Sequence, residues 1–313
     1  MLLNLGRRLG GLLLTVWLST IVIFAGMTLA PGSRLGILSG GRSLSPEQVH
    51  ALTQRYDLNQ PVVSQYFQWL TGLLRGDLGV SLTYREPVVE LLGPYLQTTL
   101  LLVLYAAILT LAGGIGLGIV AAQGPKWLDS IIMGLSTIGM ATPTFVAALG
   151  LVWFFAIKLA WFPVFGPGAG FQGRLVHLTL PAIAIAIAAS AWLARITRTA
   201  VRTEQRSEHV EMARSRGLSA SRILRRHVVR NAMMPISTAS GLIIAGLFSW
   251  TIVVETVFGL GGIGSLLSQS VQQKDFAVAQ VICLIIVVAY AVINTFVDVM
   301  YAVIDPRVRV ANR

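Results

Sequence analysis

The sequence predicts an all-α integral membrane protein with six transmembrane helices, on the basis of three observations. The 313 residues are 55% hydrophobic and only 12% charged, whereas soluble domains carry about a quarter of charged residues. Six stretches without Asp, Glu, Lys or Arg are each long enough to cross the ~30 Å hydrocarbon core as a helix. None alternates with a period of two, which argues against a β-barrel. The stretches are 9–30, 91–125, 130–157, 175–194, 231–254 and 276–297.

The first stretch follows Arg7 and Arg8 and has the charge pattern of a secretory signal peptide. Its apolar run is longer than the roughly 7–15 residues of a signal peptide, and Pro31 directly follows its small-residue end at Ala30. We therefore expect this stretch to be retained as the first span. Most of the 24 Lys and Arg residues then lie on the side of the membrane that holds the N-terminus. This positive-inside pattern predicts that both termini are cytoplasmic.

The segment between the first two spans is predicted to be extracytoplasmic and helical. Ser45 and Pro46 have the pattern of a helix start, and a second short helix is predicted from Pro61 to Gly76 with one apolar face. Two compatible interpretations apply to this second helix: an interfacial helix on the outer leaflet or against the outer mouths of the spans, and a docking surface for an external partner. We therefore divide the chain into residues 1–95, a five-span core at 96–304 and a cytoplasmic tail at 305–313.

The connection between the fourth and fifth spans, residues 195–235 of that core, carries the most specific local signals. Between Arg195 and Arg230 it contains ten arginines and three glutamates. A short helix is predicted from Glu208 to Arg216, ended by Gly217 in the left-handed conformation with Leu218 folding back onto Ala213. Ser219 is predicted to begin a second helix. The result is a helix–glycine–helix elbow on the cytoplasmic face, and the small Ala213 would let a partner's surface approach closely.

Residues 209–218, with Glu211-Met212-Ala213 followed by Gly217, resemble the EAA loop of ABC importer permeases. The version they resemble is that of the dipeptide/oligopeptide/nickel permease family. Met212 departs from the Ala or Thr of many members, and the distance from Gly217 to Pro235 is typical of the peptide branch. Further stretches resemble the same family in the same order along the chain, namely 58–61, 76–81, 227–235, 258–264 and 305–307.

The resemblance implies the type I ABC importer permease fold in a bacterial cytoplasmic (inner) membrane, and a channel-forming subunit that works by alternating access. It also implies a set of partners: a second, homologous permease subunit, two ATP-binding subunits, an extracytoplasmic substrate-binding protein and membrane lipid, with no nucleic acid. The elbow would be the coupling helix that docks on an ATPase. The residues expected to couple to it are Glu208, Glu211, Met212, Ala213, Arg216, Gly217 and Leu218.

The sequence itself indicates that ATP and Mg are bound by other chains. It contains no Gly-x-x-x-x-Gly-Lys-Ser/Thr segment, and none of its three lysines follows a glycine. We therefore expect no cofactor in this chain. An enzyme is not expected either, because the four histidines are scattered along the sequence and no nucleophile, base or metal-ligand cluster stands out. No catalytic or metal-binding residue is assigned.

The sequence leaves the substrate open. The resemblance implies short peptides, with nickel, metal chelates or glutathione-like molecules as alternatives. Polar positions in the third and fifth spans, Thr142, Ser240 and Ser249, are candidates for lining the pathway. A secondary transporter is the rival class, since such proteins use ionisable groups at membrane depth. Only Glu255 and Asp298 come close to that position, and both are expected to be residues near helix ends.

Overall fold

The computed structural model describes residues 2–29, 45–47, 50, 60–81 and 83–304, and these are almost entirely helical. The helices in chain order are α1 (Leu2–Leu29), α2 (Val62–Leu74), α3 (Val88–Gln123), α4 (Lys126–Ala141), α5 (Thr144–Leu151), α6 (Gly170–Gln205), α7 (Glu208–Ser215), α8 (Ala220–Ile223), α9 (Arg230–Phe258), α10 (Ile263–Gln272) and α11 (Phe276–Ile304). Two π-helical segments, Val152–Lys158 and Leu224–Val229, continue α5 and join α8 to α9.

Four continuous helices of the described chain are long and apolar enough to cross a membrane. They are α3, α6, the run Ala220–Phe258 that contains α8 and α9, and α11. A fifth is added if α4 and the α5 segment, which are bent by 104° against each other, count as one span. α1 contributes a shorter apolar stretch, Gly10–Gly26. The membrane-protein class is thus confirmed, and the full count of six spans stays a prediction.

The break between α4 and α5 divides the stretch for which the sequence predicts a single span. Thr142 leaves the helical conformation with ψ of 118°, and Pro143 follows it. Proline lacks the N–H needed to continue the helix, and its ring disfavours the helical conformation in the residue before it. The helix is therefore completely broken at Pro143, and a new helix starts there.

The chain forms two compact units, of which the first comprises Met1–Thr99 and Gly261–Val292. Its core joins the start of α3 to α10 and the start of α11 through buried residues that include Val88, Leu266 and Ile282. α2 begins after Pro61 and is followed by Gly76 at a φ of +84°, as the sequence predicts. The other helix start predicted for this segment, at residues 45 and 46, depends mainly on residues outside the described ranges.

The second unit comprises Leu100–Leu260 and Ile293–Arg313. In it, α6 packs against α4, α5 and α9. Small residues make the contact of α3 with α6 close: a Cβ placed on Gly114 would lie 2.6 Å from the Cβ of Leu193, and one on Gly118 would collide with Thr197. The glycines of the second predicted span thus allow the close helix approach that is typical of membrane bundles.

Candidate functional site

The elbow between α6 and α9 has the architecture that the sequence predicts. α6 ends at Gln205, and α7 begins one residue after Ser207, whose hydroxyl donates to the carbonyl of Glu204 at 2.6 Å. The sequence assigns ten arginines to the connection, but three of them belong to α6, namely Arg195, Arg198 and Arg202. The exposed connection is therefore shorter than the sequence indicates.

Gly217 ends α7 in a complete Schellman motif. Its φ is +74°, which a glycine adopts without strain. The N–H of Leu218 donates to the carbonyl of Ala213 at 3.3 Å, and the N–H of Gly217 donates to that of Arg214 at 2.9 Å. These two bonds are the 6→1 and 5→2 pair of the motif. They fix the angle at which the chain leaves α7.

The two faces of α7 differ sharply in exposure. Val210 and Ala213, three residues apart on one face, are buried against the chain's own helices. Ala213 is only 5% exposed, so its small side chain packs within the chain, and its expected role in the close approach of a partner stays a prediction. The residues of the predicted coupling set that are exposed are Glu208, Glu211, Met212, Arg216 and Gly217, with Leu218 half-buried.

The second arm of the elbow starts at Ser219 and continues into α9. Ile223 and Val228 are buried on its inner side. A cavity of about 300 Å³ lies behind the turn, and its lining includes Gln123 and Gln205. Buried side chains therefore hold each arm of the elbow against the chain, whereas the space beneath the turn is not fully packed.

A polar cluster that the sequence does not reveal ties the elbow to the ends of α6 and α9. The Nε2 atom of His209 lies 3.1 Å from Nδ2 of Asn231, 3.3 Å from the Ser207 hydroxyl and 3.5 Å from Oε2 of Glu204. The ring of His227 is 6.5 Å away, centroid to centroid. The two histidines look scattered in the sequence because 17 residues lie between them, and only the turn of the elbow brings them together.

A second cluster connects α4, α6 and the end of α3. Arg198 binds Asp129 through Nε and Nη2, at 2.5 and 2.6 Å from its two oxygens, and Arg202 adds a contact of 2.8 Å. Nη2 of Arg202 also donates to the carbonyl of Ala121. Asp129 is the only acidic residue between positions 90 and 204. That isolation among basic and apolar residues is the signal that sequence reasoning missed.

The three candidate pathway residues are not brought together by the structure into one site. Thr142 caps the break after α4, and its hydroxyl donates to the carbonyl of Ile138. Ser240 is buried and donates to the carbonyl of Ile236, while Ser249 is exposed on α9. Their role in lining the pathway stays a prediction.

The two acidic residues that a secondary transporter could use lie on different helices. Glu255 is fully buried in the last turn of α9, and Asp298 lies in α11. Across the described residues, no group of three His, Cys, Asp or Glu side chains is placed to hold a metal ion. The part of the chain that the structure describes therefore offers no candidate metal centre.

Comparisons with known proteins agree with this architecture. The family model described as "Binding-protein-dependent transport system inner membrane component" matches residues 114–310, and the model of the N-terminal part of such components matches residues 1–102. A putative peptide transport system permease of Brucella abortus is 36% identical over 92% of this chain and 93% of its own length. The oligopeptide transport system permease OppB of Escherichia coli K12 is 34% identical, with 94% and 95% covered.

Solved structures show the same fold at lower identity. A chain of an amino acid ABC transporter solved with histidines superposes with a TM-score of 0.55 at 20% identity, over 68% of this chain and 94% of that one. A chain of the inward-facing MetNI methionine ABC transporter gives a TM-score of 0.55 at 15% identity, over 69% and 97%. With its elbow, its membrane-crossing helices and matches over nearly its whole length, this chain belongs to the family of binding-protein-dependent transport system inner membrane components.

Proposed function

We propose that this chain is a channel-forming permease subunit of an ATP-driven importer for short peptides. Relatives that match more than nine-tenths of the chain are named as peptide, dipeptide or oligopeptide permeases, which favours peptides over nickel, metal chelates or glutathione-like substrates. The proposal includes an extracytoplasmic binding protein that delivers the substrate, a homologous second permease subunit and two ATPase subunits that carry ATP and Mg. Both termini and the elbow lie in the cytoplasm of a bacterial cell.

The observation that carries this proposal is the two-sided elbow. α7 exposes Glu208, Glu211 and Met212 on one side, and its other side is buried against the chain's own helices. A short helix that is anchored from behind and open in front suits a groove on another protein. Because the Schellman turn fixes the direction of the chain after α7, a displacement of α7 is transmitted to the long helices on either side, α6 and α9. The exposed residues provide the ATPase contact, and Gly217 and Leu218 keep its geometry.

The direct test is uptake by the complete importer, with all its subunits, reconstituted in lipid vesicles. We expect ATP in the vesicle lumen, together with the binding protein on the outside, to drive accumulation of a radiolabelled tripeptide. Accumulation that persists without the ATPase subunits, and that follows an imposed proton or sodium gradient, would contradict the proposal and favour a secondary transporter.

Gly217→Pro tests the elbow itself. Proline cannot adopt a φ of +74° and has no N–H to donate to Arg214, so both the turn and one of its two bonds are lost. We expect at least a tenfold loss of uptake and release of the ATPase during purification, with unchanged membrane insertion.

The matched control at the same position is Gly217→Asn. Asparagine tolerates the left-handed conformation, and a Cβ on Gly217 would meet nothing within 4 Å. Uptake by this variant is expected to stay within about twofold of wild type, since asparagine is the residue that replaces glycine at this position of other helix ends. Wild-type uptake by Gly217→Pro would rule out the elbow as the coupling element.

A further inference from the structure

Two cavities follow one another along the pair of helices α6 and α9. The first has a volume of about 350 Å³, and its lining includes Trp192 of α6 and Trp250 of α9. The second has a volume of about 440 Å³ and is lined by Arg195 and Glu204 of α6 together with Pro235 of α9. From the first cavity to the second, the residue numbers of the lining residues increase on α6 and decrease on α9. The two cavities therefore lie one after the other along this antiparallel helix pair, with the second nearer the elbow, and we call them together the track.

The first chamber is apolar and aromatic. Trp192 and Trp250 are 36% and 39% exposed, and Ala188, Ala189 and Gly246 leave the room between them. Its volume lies at the low end of the range for small-molecule sites, about 300–1,000 Å³. Indole rings provide a large apolar surface and one N–H donor each. The chamber therefore suits one bulky apolar or aromatic side chain.

The second chamber is bordered by Arg195, which has no carboxylate partner among the described residues. α6 carries Arg195, Arg198 and Arg202, and the latter two share the single carboxylate of Asp129. Among the ion pairs of the described residues, none involves Arg195, whose Nη2 donates a hydrogen bond of 3.3 Å to the Thr137 hydroxyl. An arginine at the end of a charge-free membrane stretch that borders a cavity is a candidate binding residue for an anion.

Glu204, whose Oε2 also lies 3.5 Å from Nε2 of His209, supplies the opposite charge in the same chamber. It lies nine positions beyond Arg195, which corresponds to ~13 Å along the helix axis. An extended peptide of three or four residues covers about that distance. A zwitterionic ligand of this length meets a partner for each of its charges here, whereas a single phosphate would pair with Arg195 alone and leave the carboxylate of Glu204 unused.

We propose that this track is the peptide-binding site on the transport path. The C-terminal carboxylate binds Arg195, the C-terminal side chain enters the chamber between Trp192 and Trp250, and the amino end points towards Glu204. The site thus selects short peptides with a free carboxylate and an apolar or aromatic last residue. This inference rests on the proposed importer function and narrows its substrate class.

The first experiment measures uptake of Ala-Ala-Phe and of its C-terminal amide by the complete reconstituted importer. We expect Arg195→Gln to lower the uptake ratio of free acid to amide at least tenfold, since charge-assisted hydrogen bonds to the carboxylate are lost. Arg195→Lys keeps the charge and retains part of the preference. Arg174→Gln, a matched arginine of α6 outside both cavities, is expected to leave the ratio unchanged.

The second experiment covers the aromatic chamber. Trp192→Ala and Trp250→Ala are each expected to lower the preference for Ala-Ala-Phe over Ala-Ala-Ser about fivefold or more, because aromatic contacts with the indole and apolar burial are lost. Trp127→Ala, which removes an exposed tryptophan of α4, serves as the control. A tripeptide that ends in a benzophenone-bearing residue is expected to cross-link within 188–192 of α6 or 242–250 of α9.

The results of these experiments distinguish an error in the proposed binding site from an error in the proposed importer function. An equal loss of acid and amide uptake in Arg195→Gln, or cross-links that lie elsewhere, would overturn the site while the importer function stands. An Arg195→Gln effect that follows the content of anionic lipid and ignores the peptide terminus would assign the track to lipid. If the wild-type importer accumulates no peptide, both the site and the proposed substrate class are wrong.

Discussion

Gly114 shows how a single residue sets the distance between two helices of this protein. The nearest atoms to a Cβ at this position belong to Leu193, with three of them between 2.6 and 2.8 Å. Real Cβ atoms do not approach other atoms so closely, so any side chain here would push α3 away from α6. At Gly116, two residues further along, a Cβ would meet nothing within 4 Å.

Gly114→Ala is therefore expected to destabilise the protein by about 1–3 kcal/mol, as overpacking of a close contact does. Gly116→Ala is the matched control, and it is expected to be neutral or slightly stabilising because alanine favours the helix by up to about 1 kcal/mol. Thermal unfolding of the purified importer in detergent measures both. Equal midpoints for the two variants would show that α3 and α6 do not approach as closely as described.

At the scale of elements, Asp129 connects three helices through two arginines. Its side chain is 12% exposed, and those of Arg198 and Arg202 are 25% and 34% exposed. The partial exposure reduces the desolvation cost of the cluster but also weakens each ion pair. Because both arginines belong to α6, which continues towards the elbow, the cluster fixes α4 and α3 to the helix that precedes the elbow.

Asp129→Asn removes the charge and leaves two arginines close together. We expect a loss of about 2 kcal/mol in stability, below the 3–5 kcal/mol of a fully buried broken pair, because the arginines retain contact with solvent. The exposed Glu90→Gln, at the start of α3, is the control. In a double-mutant cycle with Arg198→Gln, the loss in the double variant is expected to be smaller than the sum of the single losses. Strict additivity would refute a direct interaction.

For the whole molecule, the distribution of charge predicts its orientation in the membrane. The elbow carries most of the arginines of its connection, whereas α2 has no charged residue at all between Val62 and Leu74. The positive-inside rule places the arginine-rich side in the cytoplasm. Since Cys283 is the only cysteine of the chain, its replacement gives a background in which single introduced cysteines report one site each.

In a Cys283→Ser background, Ser215→Cys is expected to react with a membrane-impermeant maleimide only from the cytoplasmic side. Gln68→Cys, at an exposed position of α2, is expected to react only from the outside. Intact cells and inverted membrane vesicles distinguish the two sides. Labelling of both positions from one side would contradict the predicted topology.

The sequence by itself determined the features that depend on local chemistry. Long charge-free stretches require a bilayer, because so apolar a surface is not stable in water, and this decided the class of the protein. Gly217, the residues around it and the Schellman turn were predictable because the left-handed position is a property of a few consecutive residues. The family was recognisable for the same reason, since its motifs are short and contiguous.

Only the tertiary structure decided which distant residues meet. The contact of Asp129 with Arg198 joins residues 69 positions apart, and the break between α4 and α5 bends the chain by 104°. The structure also decided that Ala213 faces inwards. Such features follow from how helices pack, and the apolar periodicity of a membrane helix says little about this because lipid-facing and protein-facing sides are both apolar. The track beside Arg195 is visible only when α6 and α9 lie side by side.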